Sequence, residues 1–283
     1  MANIEVESSD RLPDEFGARH VKPLTTRIAE RLGRFNIEGT LVLIALVIAW
    51  QVASLYYPPI LFPSLERIGI AFADLLTSPT AANSAFVTFI RILIALFIGF
   101  SLATILGIAA GMVRSIERAT IPVIEIMQGI PAVCWIIFAI LWFRDMEART
   151  AFVVIVTTIP SFFYQARDGV LAISSELWDM VRSLRPSLPK LIRILIVPAL
   201  LPALLTGWRI NIGNGTRVTI MAELLGGVSG IGHQLRLAQE MFRMDKAIAW
   251  TVVLVVFVVA SNLVLSWLEK RLLGWRAGRR ESA

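Results

Sequence analysis

The chain has 283 residues, 56% of them hydrophobic and 17% charged, with a mean hydropathy of +0.71 and a net charge of +6. This balance excludes an ordinary soluble enzyme and describes an integral membrane protein. The positive charge follows the membrane segments and does not point to nucleic acid, and the single cysteine, Cys134, excludes an internal disulfide or a cysteine-based metal site.

Residues 1–37 hold six Lys or Arg and six Asp or Glu, with no apolar run before Thr40. No secretory signal is therefore expected at the front, and the first apolar segment is kept as a span. Residues 1–20 read as disordered. Leu24, Ile28, Leu32 and Phe35, with Arg27, Arg31 and Arg34 between them, predict a basic helix lying on the inner membrane surface.

A spanning helix needs about 20 mostly apolar residues, which predicts six spans near 39–57, 84–113, 119–142, 150–170, 192–224 and 247–268. The expected organisation is a cytoplasmic tail over 1–37, a six-span domain over 38–276 with a cytoplasmic loop at 174–190, and a tail over 277–283. With both termini inside, eighteen Lys and Arg lie in inside segments. Outside lie only Arg67, Arg144, Arg149, Arg236, Arg243 and Lys246. That asymmetry obeys the positive-inside rule and favours an N-in, C-in, all-α fold.

Between the first two spans, "FPSLERIGIAFADLL" opens on a capping Ser64 and puts Ile68, Phe72 and Leu75 on one side, predicting a short external helix. In the second span Ala95, Gly99, Ala103, Gly107 and Gly111 recur every four residues. Small residues at this spacing let helix backbones approach closely, either within the chain or against a second subunit.

The loop "SSELWDMVRSLRPSLPK", residues 174–190, is too short and too polar to cross a bilayer. Ser174 or Ser175 can cap a helix, Glu176 and Asp179 suit its positive end, and Arg182 and Arg185 suit the other. Leu177, Met180, Val181 and Leu184 fall at i, i+3, i+4 and i+7 and make one apolar face. Pro186 and Pro189 are expected to stop the helix. The face either grips another protein or rests on the membrane surface.

No G-x-x-x-x-G-K-[ST] is present, since none of Lys22, Lys190, Lys246 and Lys270 follows a glycine, so the chain is not expected to hydrolyse ATP itself. His20 and His233 are far apart, and Glu125 and Glu223 are the only acids placed deep in spans, which supports neither a zinc site nor a catalytic dyad. The chain is expected to be no enzyme and to hold no cofactor or metal.

The stretch from Asp179 to Pro198 resembles the cytoplasmic signature loop, the EAA loop, of bacterial ABC importer permeases, closing on a hydrophobic-x-leucine-proline element as "LIVP", Leu195 to Pro198. "RILIALFIGFSLATILGIAAG", "IPAVCWIIFAILWF", "TGWRINIG", "AELLGGVSGIGHQL" and "EKRLLGW" are similar, in order, to segments of the nitrate, sulfonate and taurine branch, and the likeness covers roughly residues 60–276. There are departures. Asp179 stands for the usual glutamate, Met180 and Val181 for alanines, and Arg185-Pro186 for the loop's glycine and its neighbour. Glycine turns with positive φ at low cost, so with arginine there Pro186 is expected to set a different turn. Arg144 also follows "WF" where the branch has glycine.

The resemblance implies a type I importer permease in the bacterial inner membrane. It would work as a homodimer surrounded by lipid, with two ATPase subunits that bind ATP and Mg beneath it and a periplasmic or lipid-anchored solute-binding protein outside. Glu176, Leu177, Asp179, Met180, Val181, Leu184 and Arg185 would then carry the ATPase contact. In the fifth span, Arg209, Asn211, Asn214, Arg217 and Glu223 are expected to line the solute path. By helical angle, Arg209, Gly213, Thr216 and Arg217 share one side, and Gly207, Asn211 and Asn214 share the other. Arg217 either faces the solute or pairs with Glu125 or Glu223. Two arginines with few free acids favour an anionic solute. "NIGNGTR" departs from the aromatic, apolar character usual at this point in the branch, which admits other anions such as aromatic carboxylates. The rival reading is a self-powered secondary transporter or channel, which internal repeats would support; none is evident.

Overall fold

The computed structural model describes residues 37–273. The expected tails and the basic helix near Leu24 to Phe35 lie outside the described residues. Among these residues there is no strand. The helices are α1 (Ile37–Tyr56), α2 (Leu65–Thr77), α3 (Pro79–Met112), α4 (Arg114–Gly129), α5 (Ala132–Trp142), α6 (Met146–Leu171), α7 (Ser175–Ser183), α8 (Leu188–Leu191), α9 (Val197–Gly226), α10 (Ile231–Glu240) and α11 (Met244–Leu272). A π-helical turn, Ile192–Ile196, joins α8 to α9. Two compact units divide at Ala53–Ser54.

In the first unit, α1 is apolar all round, with Leu41, Val42, Leu43, Leu46 and Ile48 exposed, the composition of a helix that lies in lipid. In the second, α6 is the central helix, packed along α3 on one side and α9 on the other. Phe162 and Phe163 of α6 are fully buried with Ile92 and Leu96 of α3. Phe89 of α3 stacks on Phe257 of α11, ring centroids 4.1 Å apart. Ser64 caps α2 by accepting the Arg67 N–H at 3.4 Å, and Ile68, Phe72 and Leu75 are its half-buried side, as the spacing predicted.

The small-residue stripe packs on α6 of the same chain. A Cβ on Gly107 would fall 2.6 Å from the Phe163 carbonyl, one on Gly111 would fall 2.7 Å from Val170 Cβ, and one on Gly99 would meet Thr158 at 3.0 Å. Ala95 and Ala103 are buried in the same seam. Thus the stripe brings α3 and α6 into backbone contact.

Among the described residues, five helices are long and apolar enough to cross a membrane. The expected third span, 119–142, is not one rod: α4 and α5 meet at 94°. The break falls at Gly129-Ile130-Pro131, where proline removes an N–H and forces the preceding residue out of helical backbone; Ile130 has ψ 123. Counting the bent pair as one span gives six. The fifth agrees with the expected 192–224 to within a few residues at each end. It extends from Leu188 to Gly226, with Pro189 opening α8 rather than ending α7.

Candidate functional site

Along α9 the polar residues sort onto two sides. Gly207, Asn211, Gly215, Thr216, Thr219 and Glu223 are buried. The Asn211 amide donates to Ser161 Oγ and to the Gly207 carbonyl, both at 2.9 Å. A Cβ on Gly215 would lie 3.0 Å from Leu96, so the missing side chain is what lets α9 settle on α3. The opposite side exposes Thr206, Arg209, Ile210, Arg217 and Met221, with Gly213 and Asn214 half-buried. Arg209 is tied to Glu269 of α11 at 2.9 Å and to Ser266 at 3.2 Å. Arg217 makes no hydrogen bond or ion pair among the described residues.

The five residues expected to line a path are therefore not brought to one face. Arg209 and Arg217 share the open side and Asn214 borders it. Asn211 and Glu223 are wholly buried and do not reach it, and Thr216, assigned by angle to the arginine side, is buried too. Within the chain neither Glu125, which is exposed on α4, nor Glu223 pairs with Arg217.

Glu223 belongs to a cluster that joins four helices. Its carboxylate accepts from the Thr88 hydroxyl at 2.9 and 3.0 Å, from the Gly232 N–H at 2.8 Å, and from Arg91 in an ion pair. Arg91 also grips Glu147 at the start of α6, Nε to Oε2 at 2.6 Å, and reaches Ser229 Oγ at 3.3 Å. Thr88 Oγ1 in turn accepts the Ile231 N–H at 2.8 Å. Glu223 and Thr88 have no exposed surface, and Arg91 is 4% exposed. Sequence reasoning passed over Thr88, Arg91 and Glu147. One signal was present: Arg91 is a lone charge in an apolar span, costing about 2.5–3.5 kcal/mol unless paired.

At the other end, α7 stands where the loop predicts a helix, ending at Ser183 with Leu184 as C-cap. Its expected apolar face divides. Val181 is buried against Leu191 and Leu195, next to Trp178, Ile173 and Met112. Leu177, Met180 and Leu184 are 41%, 59% and 78% exposed and point away from that cluster. Glu176, Asp179 and Arg185 are exposed as well, and Arg182 lies over the Trp178 ring at 5.1 Å. The turn after α7 is made by Arg185 itself, with φ 46, not by Pro186. Ser174 makes no side-chain capping bond.

A bent span, a long polar fifth span and an amphipathic loop helix around a central α6 define a polytopic helical permease of the type I ABC importer fold. The chain belongs to the family described as binding-protein-dependent transport system inner membrane component, which matches residues 103–274. It is 26% identical over 243 residues to the taurine transport system permease protein TauC of Escherichia coli, covering 84% of this chain and 88% of that one. It is 29% identical over 185 residues to the bicarbonate transport system permease protein CmpB of Synechococcus elongatus, covering 62% and 65%. Among solved structures, the inward-facing MetNI methionine ABC transporter superposes with a TM-score of 0.62 at 15% identity, over 68% of this chain and 95% of that one.

Proposed function

We propose that this chain is the membrane-spanning subunit of an ATP-driven importer for a small anionic solute of the sulfonate, taurine or bicarbonate type. Two copies enclose the path in a bacterial inner membrane, two separate ATPase subunits supply ATP and Mg chemistry, and a periplasmic or lipid-anchored binding protein delivers the solute. The observation that carries this reading is Arg217. It is a cation within a span, exposed, with no partner among the described residues, and leaving it in lipid costs about 2.5–3.5 kcal/mol. Water and an anion on that side of α9 remove the cost. The names of the taurine and bicarbonate relatives agree with that chemistry.

Leu177, Met180 and Leu184 give the ATPase subunits a helix to seat in a groove. When the ATPases close on ATP they carry α7, and the spans rock between inward-open and outward-open states. Arg217 presents its charge to the solute, while Arg209, already neutralised by Glu269, lies toward the cytoplasmic end.

The test is uptake of labelled taurine, aliphatic sulfonate and bicarbonate by the complex isolated from native membranes and reconstituted in proteoliposomes. ATP-dependent uptake of at least one of them is expected, reduced at least tenfold by Arg217→Met and partly kept by Arg217→Lys. Uptake without ATP by the chain alone would replace this reading with a self-powered transporter.

A further inference from the structure

The strap that follows α9, Gly227 to Gly230, and the first turn of α10 have no polar cap of their own. Gly230, the N-cap, has no side chain and sits at φ 95, a conformation open to glycine. Yet the first N–H groups of a helix need partners. Here they are supplied from other helices: Ile231 N–H goes to Thr88 of α3 and Gly232 N–H to Glu223 of α9.

The contact also has no compliant layer. A Cβ on Gly230 would fall on the Glu223 carboxylate, and one on Gly232 would lie 2.5 Å from Glu223 Cβ and 2.6 Å from the Ile220 carbonyl. The Val228 N–H lies 3.3 Å from Met146 Sδ, and Arg236 donates to the Gly227 carbonyl at 3.0 Å. Backbone thus rests on backbone, and the polar atoms at the centre are bonded to four helices. Meanwhile Val228 is 76% exposed on the strap's free side. Arg217 stands six residues before Glu223 on the same helix, about 9 Å along its axis.

A buried ion pair contributes little net stability compared with apolar packing, and its best-attested use is to fix one geometry. Resting on the importer reading, we propose that Glu223, Arg91 and Thr88 are positioning residues. They clamp the outer strap and α9 into one rigid body, so that a binding protein pressing on the strap at Val228 displaces the Arg217 face directly. They touch no solute.

The test has two arms. In a Cys134→Ser background, spin labels replace the exposed Met221 and Val228, and a reference pair replaces the exposed Ile105 and Leu171. With the labelled chain diluted into unlabelled chain so that only pairs within one copy are read, a single narrow distance is expected for the first pair. It should broaden at least twofold in Glu223→Gln and in Thr88→Val and stay narrow in Thr88→Ser, with the reference pair unchanged throughout. An unchanged width in Glu223→Gln, or equal broadening of the reference pair, overturns the clamp.

The second arm uses the complex reconstituted with the binding protein recovered alongside it from native membranes. In Glu223→Gln, basal ATP hydrolysis should stay within twofold while its stimulation by the binding protein falls at least tenfold. Full stimulation, or a proportional loss of both rates, overturns the relay. Wild-type uptake that needs no ATP overturns the importer reading and the relay with it, whereas an unbroadened distance removes the clamp and leaves the importer reading standing.

Discussion

The outer end of α9 and the loop helix α7 treat polar and apolar groups in opposite ways. At the outer end, ionised and hydrogen-bonding groups are hidden and matched to one another: Glu223, Arg91 and Thr88 are buried and each has partners within the chain. At α7, apolar side chains are left uncovered: Leu177, Met180 and Leu184 stay open beside a buried Val181. The first arrangement completes the fold of a single chain. The second leaves three apolar side chains that gain by being covered, which is where the proposed ATPase contact is placed.

The contrast can be broken first at the buried end. Arg91→Ala leaves Glu223 as an uncompensated buried charge, and a loss of about 3–5 kcal/mol is expected, read as a lower melting temperature in detergent. Next, α7 can be split along its own seam. Val181→Asp places a charge among Leu191, Leu195 and Trp178 and should lower the melting temperature by an amount equivalent to several kcal/mol. Leu177→Asp should leave melting unchanged and abolish recovery of the ATPase subunits with the chain. If both variants melt alike, α7 has no separate outward face. The smallest effect is at Arg185, whose positive φ costs an L-residue about 1–2 kcal/mol. Arg185→Gly should raise stability by about 1 kcal/mol, less the chain entropy that glycine adds, and a lower melting point would show that the arginine side chain holds the turn.

What was legible in the sequence was local. The Ser64 cap, the α7 helix, the small-residue stripe and the two-sidedness of α9 each depend on residues within a few turns of one another, where periodicity and capping chemistry act. Arg91 and Glu223 are 132 positions apart, and no spacing rule relates them. Only the cost of a lone charge marked each, and it named no partner. The same limit assigned Glu223 and Asn211 to a path, since polarity within a span marks a residue without saying whether protein or water surrounds it. The 94° break had a local signal in Gly129-Ile130-Pro131, which an unbroken apolar run concealed. Arg185 shows the reverse: a turn geometry held in place although the residue suited to it is missing.

The stripe on α3 has a last consequence, for what this helix offers to a neighbouring molecule. Its glycines meet α6 of the same chain and its alanines are buried, and what α3 turns outward is large: Leu93, Ile94, Phe97, Ile98, Leu102 and Ile105. Lipid-embedded helices adhere most tightly where bare backbones touch, and that kind of adhesion has been kept for the interior. A neighbouring helix on this surface meets long, rotatable hydrocarbon chains, which can trade one set of contacts for another. On α3, then, the close-packed seam lies inside the chain and the yielding side chains lie outside it, so a neighbour seated on this face would shift more readily than α6 does.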